Sequence, residues 1–259
     1  MIRAALLACV LSVAAMTAGA APQSPPLGAV PVDALAARTI VERAITAAGG
    51  ESWRRPRTLY MEGYSIFYGS DGVPIVNDKH AMWRVYPEWK SNAHRADGKV
   101  RIETHRAGVR TLLLTFDGTT SYTEKGPQPP SEADKQWAEN FGFGVIRFAL
   151  DEGYALKRLP DDLVDAKPAY LVEVTDPSGA KTQFAIARDT FNVVKVGFAT
   201  PRGWHERIYS DFYSKPGISW VQPGRIRLLY NGVKQNELVW RDFTLNAPMA
   251  DGLFVVPAP

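Results

Sequence analysis

Short runs of alternating side chains, cut off by Asp-Gly, Asn-Gly or other glycine-containing turns, recur along this chain between residues 58 and 245. This punctuation constrains the fold more than any other feature. An Asn-Gly or Asp-Gly pair supplies the positive φ angles of a tight hairpin and leaves no room for the crossover that a parallel sheet needs. Asp71-Gly72, Asp97-Gly98, Asp117-Gly118 and Asn231-Gly232 are such pairs. The runs between them predict strands over 58–68, 79–90, 99–106, 109–116 and 119–124, an antiparallel meander. A second series is predicted over 154–159, 169–175, 182–188 and 193–200, with turns at Asp176-Pro177-Ser178-Gly179 and Asp189-Thr190-Phe191-Asn192. Three more strands follow over 204–213, 224–230 and 237–245. About a dozen strands are more than a flat sheet holds without curling. The expected class is therefore mainly β (α+β): one strongly curved antiparallel sheet, an unclosed half-barrel, with an N-terminal helix and a central helix covering its concave face.

The alternation assigns faces. In 58–68, Leu59, Met61 and Phe67 point one way and Tyr60, Tyr64, Ile66 and Tyr68 the other, so both faces are apolar and the strand is covered on both sides. In 79–90, Trp83 and Trp89 oppose Met82 and Tyr86. In 237–245, Val239, Phe243 and Leu245 oppose Trp240, Asp242 and Thr244.

Two stretches carry helical spacing instead. Ala37, Ile40, Val41, Ala44, Ile45 and Ala48 form one apolar stripe behind Asp33, a candidate N-cap, and Gly49-Gly50 ends it. Residues 132–150, entered through Ser131 and Asp134 in a capping-box arrangement, carry Trp137, Phe141, Val145 and Phe148 on one stripe, with Gly142 and Gly144 weakening the middle. Such a helix serves either as a lid over an apolar cavity or as a plain core helix on the sheet.

At the N-terminus Arg3 precedes an apolar run from Ala4 to Ala15 and a small-residue end at Ala18-Gly19-Ala20, the pattern of a secretory signal peptide over 1–20 cut after Ala20. The run is shorter than the roughly 20 residues a membrane span requires. Leu6-Leu7-Ala8-Cys9 has the outline of a lipobox, but leaves very little apolar sequence ahead of Cys9. A proline-rich leader over 21–32 then gives way to a single domain over 33–259. The expected location is periplasmic or secreted. Cys9 is the sole cysteine, so the processed chain has neither disulfides nor a thiol nucleophile.

A net charge of +3, with Lys and Arg interspersed among Asp and Glu, gives no basic tract for nucleic acid. Nucleophile-elbow, P-loop, dinucleotide and zinc-protease motifs are all missing, and no cofactor or metal is expected. His80, His94, His105 and His205 match no local metal spacing, although His94 and His105, with Glu103 near, could meet across the Asp97-Gly98 hairpin. Glu62, among aromatics, has a raised pKa if it faces an apolar interior; the alternative is that it faces solvent or pairs with an arginine. Asp161-Asp162 beside Pro160 reads as a solvated loop.

The run Tyr209-Ser210-Asp211-Phe212-Tyr213, the segment Gln222-Pro223-Gly224-Arg225-Ile226, the amphipathic strand to Leu245, and the close from Asn246 through Met249, Leu253 and Phe254 to Pro257 resemble the last strands of the periplasmic lipoprotein-carrier superfamily, which includes LolA-like and outer-membrane lipoprotein-sorting proteins. The resemblance implies the half-barrel and a ligand class, lipid or the acyl groups of a lipoprotein, with envelope membrane proteins as further partners. No residue-level motif of a transfer site is matched. Aromatic residues make up 11% of the chain, enough for either a large filled core or a cavity for acyl chains. On the cavity reading Met61, Phe67, Trp83, Leu113, Trp137, Phe141 and Phe148 line it. The alternatives are an exported hydrolase acting on an envelope component, and a non-catalytic envelope sensor or scaffold.

Overall fold

The computed structural model describes residues 35–69, 71–88, 98–129 and 142–257. The first meander comprises β1 (Thr58–Tyr68), β2 (Pro74–Val85), β3 (Lys99–Arg106), β4 (Val109–Phe116), β5 (Ser121–Thr123) and β6 (Gly126–Pro127). The second comprises β7 (Ala155–Val164), β8 (Lys167–Thr175), β9 (Lys181–Ala187), β10 (Val193–Thr200), β11 (Gly203–Ser214), β12 (Val221–Tyr230) and β13 (Val233–Leu245). All thirteen belong to one antiparallel sheet in the order β6-β5-β4-β3-β2-β1-β13-β12-β11-β10-β9-β8-β7. The first strand pairs with the last, which fuses the two meanders, and the sheet ends at β6 and β7 without closing. The half-barrel expected from the turn spacing is the observed architecture.

Several boundaries differ from the sequence reading. The second strand is displaced toward the N-terminus, running from Pro74 to Val85; Trp89 lies outside the described residues. Asp161 and Asp162 belong to β7, not to a solvated loop. The register slips between Leu159 and Asp162, a bulge at an edge strand where a proline lacking an N–H is tolerated. The bulge turns Asp161 inward until its side chain is 1% exposed, paired with Arg158 and with Arg188 at 3.3 Å. A buried carboxylate persists only because it is paired in this way.

The alternation read along β13 also breaks. Glu62 pairs with Asp242 and Gly63 with Trp240, so Arg241 is an extra residue, and Trp240 and Phe243 both reach the concave face. Gly63 makes this possible. A Cβ there would stand 1.8 Å from the Val239 carbonyl oxygen, so only glycine lets the two strands approach.

The N-terminal helix α1 (Ala37–Ala48) buries the stripe Ala37, Ile40, Val41, Ala44, Ile45 and Ala48. Its N-cap is Ala36, without a capping side chain, while Asp33 lies outside the described residues. At the far end Gly49 has φ 130°, and after Gly50 a single helical turn, α2 (Glu51–Arg54), follows. Of the predicted central helix, residues up to 141 lie outside the described residues, Ser131, Asp134, Trp137 and Phe141 among them. From Gly142 to Phe148 the chain is a 3-10 turn rather than an α-helix. Glycines at 142 and 144 weaken α-helical continuation, and 3-10 geometry suits short pieces.

Helix α1 and this turn pack on the concave face of β8 to β10. Ile40, Val41, Ala44, Val145 and Ile146 meet Tyr170, Val172, Val174, Phe184, Ile186, Val196 and Phe198 in one core. On the convex face a C-terminal 3-10 turn, Asp251–Phe254, lies over β3 and β4. Arg101 donates to the Leu253 carbonyl at 2.8 Å and Thr115 to that of Phe254 at 2.8 Å. Among the described residues no helix is long and apolar enough to cross a membrane.

Candidate functional site

The concave face is not filled along its whole length. Past the end of α1 it opens into a hollow of about 340 Å³, lined mainly by apolar side chains, within the size range of ligand pockets. The strand registers build its floor. Met61 of β1 stands beside Phe243 of β13 and Met82 of β2; Ile102 of β3 lies across from Met82, and Leu114 of β4 across from Ile102. Leu238 and Trp240 of β13, Ile226 and Leu228 of β12, and Arg207 and Tyr209 of β11 continue the wall. Trp53 of α2, Ile146, Arg147 and Phe148 of the 3-10 turn, and Trp220 complete it. Trp220 is placed by the close of α1, where a Cβ on Gly49 would stand 2.3 Å from the Ser219 carbonyl oxygen. Its indole N–H is satisfied by Gln222 at 2.9 Å.

Of the residues expected to line a cavity, Met61, Phe67 and Phe148 stand on this hollow. Trp83 does not. It points to the convex face, where its ring lies 5.0 Å from that of Tyr60. Leu113 is also turned away: Leu112 and Leu114 line the hollow, and Leu113 shares the outer face with Thr115, under the C-terminal turn. Trp137 and Phe141 lie outside the described residues. Residues that periodicity had not singled out as lining include His80, Met82, Arg84, Tyr86, Arg147, Arg207, Tyr209 and Trp220.

The charged members of the lining are all cationic: Arg84, Arg147 and Arg207 border the hollow, and among the described residues no Asp or Glu does. Arg147 is 9% exposed. Its guanidinium lies over three rings, 4.7 Å from the centroid of Tyr86, 4.8 Å from Trp53 and 5.1 Å from Trp220. Arg84 also lies over the Tyr86 ring, 4.9 Å from its centroid. Burial pushes the Tyr86 phenol up, but the charges of Arg147 and Arg84 and the hydrogen bond from Arg147 outweigh it, and the phenol sits below its ordinary range. For Tyr209 burial wins over Arg207, Arg147 and Arg84, raising it to about 12. The backbone behind Arg147 is anchored: Arg54 donates to the Arg147 carbonyl at 3.3 Å, and Arg54 and Arg55 both bind Asp151. Asp151 thus pairs with those two arginines rather than with Arg147.

His80 is buried with its imidazole edge-on to Trp240, ring centroids 5.1 Å apart. Burial holds it down to about 4, so it is neutral at neutral pH. Glu62 faces the convex side, accepts from Tyr60 at 2.7 Å and pairs with Lys79 at 3.1 Å; these contacts hold its carboxyl below the usual range. Its partner is a lysine, and the interior placement that would raise it is not realised. His94 lies outside the described residues, and among the described residues no group of three His, Cys, Asp or Glu side chains is arranged to hold a metal.

Comparison with family models and with curated proteins finds no match. Solved structures do match. A domain described as an outer membrane lipoprotein-sorting protein from Vibrio parahaemolyticus superposes with a TM-score of 0.50 at 12% identity, covering 83% of this chain and 94% of its own. A LolA superfamily protein from Nitrosomonas europaea gives 0.52 at 15% identity, covering 86% and 98%. At these identities the likeness is one of fold, and the fold of this chain is LolA-like.

Proposed function

We propose that this protein is a periplasmic, non-catalytic carrier that shelters an acyl chain, of a lipid or of a lipoprotein, in the hollow of its half-barrel. The observation that carries this reading is the unequal filling of the concave face. Helix α1 occupies the β8 to β10 side, while the floor formed by β13, β1, β2, β3 and β4 leaves an apolar space of about 340 Å³. An enclosed apolar surface gains roughly 25 cal/mol per Å² when it exchanges water for hydrocarbon. The shared fold with a lipoprotein-sorting domain and a LolA superfamily protein supports the same class of ligand. Arg3, the short apolar run and the Ala18-Gly19-Ala20 close support export through a cleaved signal segment, with the leader over 21–32 and one domain from 33 onward.

Native mass spectrometry of the protein released from the periplasm tests the reading. Phospholipid, fatty acid or an acylated polypeptide should travel with it. A protein that arrives bare, and stays bare after incubation with lipid, overturns it.

A further inference from the structure

The hollow is apolar but not neutral, and that combination restricts what fits. Burying a guanidinium without an anion is costly, because the charge loses its water and gains nothing of opposite sign. Arg147 is more than nine-tenths buried, and its Nε and Nη1 have no hydrogen-bond partner among the described residues. The three aromatic rings around it and its bond to Tyr86 soften the cost without removing it, since ring faces accept no strong hydrogen bond. Arg84 and Arg207 border the same space, which among the described residues no carboxylate enters. From Arg147 the floor runs away over Met82, Met61 and Leu114, side chains with no polar hydrogen to offer. The space is thus cationic around Arg147 and mainly apolar over the methionines of β1 and β2.

Building on the carrier reading, we infer that the hollow takes an anionic amphiphile, its carboxylate or phosphate head against Arg147 and its hydrocarbon tail over the methionines of β1 and β2. A headgroup oxygen supplies the acceptor that Nε and Nη1 lack, and a charge-assisted bond in a dry site is the strongest kind available to an arginine. Neutral lipids of the same tail length fill the floor but offer the guanidinium only an uncharged oxygen, without the opposite charge.

The test is a calorimetric titration at pH 8 of the full processed protein with oleate, oleyl alcohol and acetate. Oleate should bind at least about tenfold more tightly than oleyl alcohol, and acetate should not bind measurably. In Arg147→Gln the preference for oleate over oleyl alcohol should be lost, whatever the affinity of each; in Arg147→Lys part of that preference should remain. Equal affinity of the wild-type protein for oleate and oleyl alcohol would overturn the headgroup assignment and leave the carrier reading standing. Acetate binding as tightly as oleate would overturn the amphiphile. If neither long-chain probe binds, the carrier reading itself fails. The wild-type comparison decides the matter even if Arg147→Gln does not fold.

Discussion

The two sides of the concave face belong to the same antiparallel sheet, yet one is packed shut and the other stands open. Over β8 to β10 the inward side chains are Tyr170, Val172, Val174, Phe184, Ile186, Val196 and Phe198, met by α1 and by Val145 and Ile146 of the 3-10 turn. Over β13, β1, β2, β3 and β4 they are Trp240, Met61, Met82, Ile102 and Leu114, met by the hollow. The difference lies in what lies on top of each sheet half, since both floors are mainly apolar. It teaches that α1, ending at Gly49, is too short to cover thirteen strands; on the proposed function, the part left open among the described residues is where a guest takes the place of a helix. Methionine follows the same division: Met61 and Met82 stand on the open side and none in the closed core, and an adaptable surface suits a chain of variable shape.

Truncations on the two sides should therefore differ in kind, the largest loss falling on the closed side. Phe184→Ala removes a fully buried ring from the covered half and should cost about 3–5 kcal/mol in urea denaturation with no direct effect on lipid affinity. Gly63→Ala tests how the open floor is set. The added methyl would meet the Val239 carbonyl and should cost about 3 kcal/mol, because strand backbone cannot step aside; a neutral outcome would mean that the bulge at Arg241 is dispensable. A third difference is visible in pH. His80 borders the open side and is held down to about 4, against an ordinary value of 6.5. The unfolded chain binds a proton that the folded one refuses between those values, so stability is complete above pH 6.5 and falls as the pH drops toward 4. The loss should reach about 3 kcal/mol, and His80→Leu should flatten that segment of the stability profile. Smallest in stability is Met82→Ala, expected to cost about 1 kcal/mol because the side chain borders existing space and leaves no new closed cavity. It should weaken acyl-chain binding, whereas Trp83→Ala, its neighbour on the convex face, should leave binding untouched.

Much of the sheet was legible before any coordinates. Strands β3, β4 and β10 begin and end where the turn sequences put them, and the stripe of α1 is the buried stripe, because both signals are local. Facing was less legible. In Leu112-Leu113-Leu114 both parities are apolar, and the outer face is buried by a turn nearly 140 residues away, at Phe254, so alternation carried no information about which leucine looks inward. In β13 the parity reading fails at Arg241 because a bulge is set by Gly63 on another strand. The arginines of the hollow were the least visible. Arg147 gains its surroundings from Trp53, Tyr86 and Trp220, three separate segments that meet only after folding. A cation on the apolar stretch Val145–Phe148 was the one local sign of it.

The central claim, that the uncovered half of the concave face holds a hydrocarbon chain, is tested most directly by a crystal of the processed protein grown with 12-bromododecanoate and measured at the bromine edge. The account predicts an anomalous peak inside the hollow, bounded by Met61, Met82 and Trp240, with the carboxylate end toward Arg147. A hollow closed by the protein's own side chains, or bromine bound only on the convex face, would contradict it.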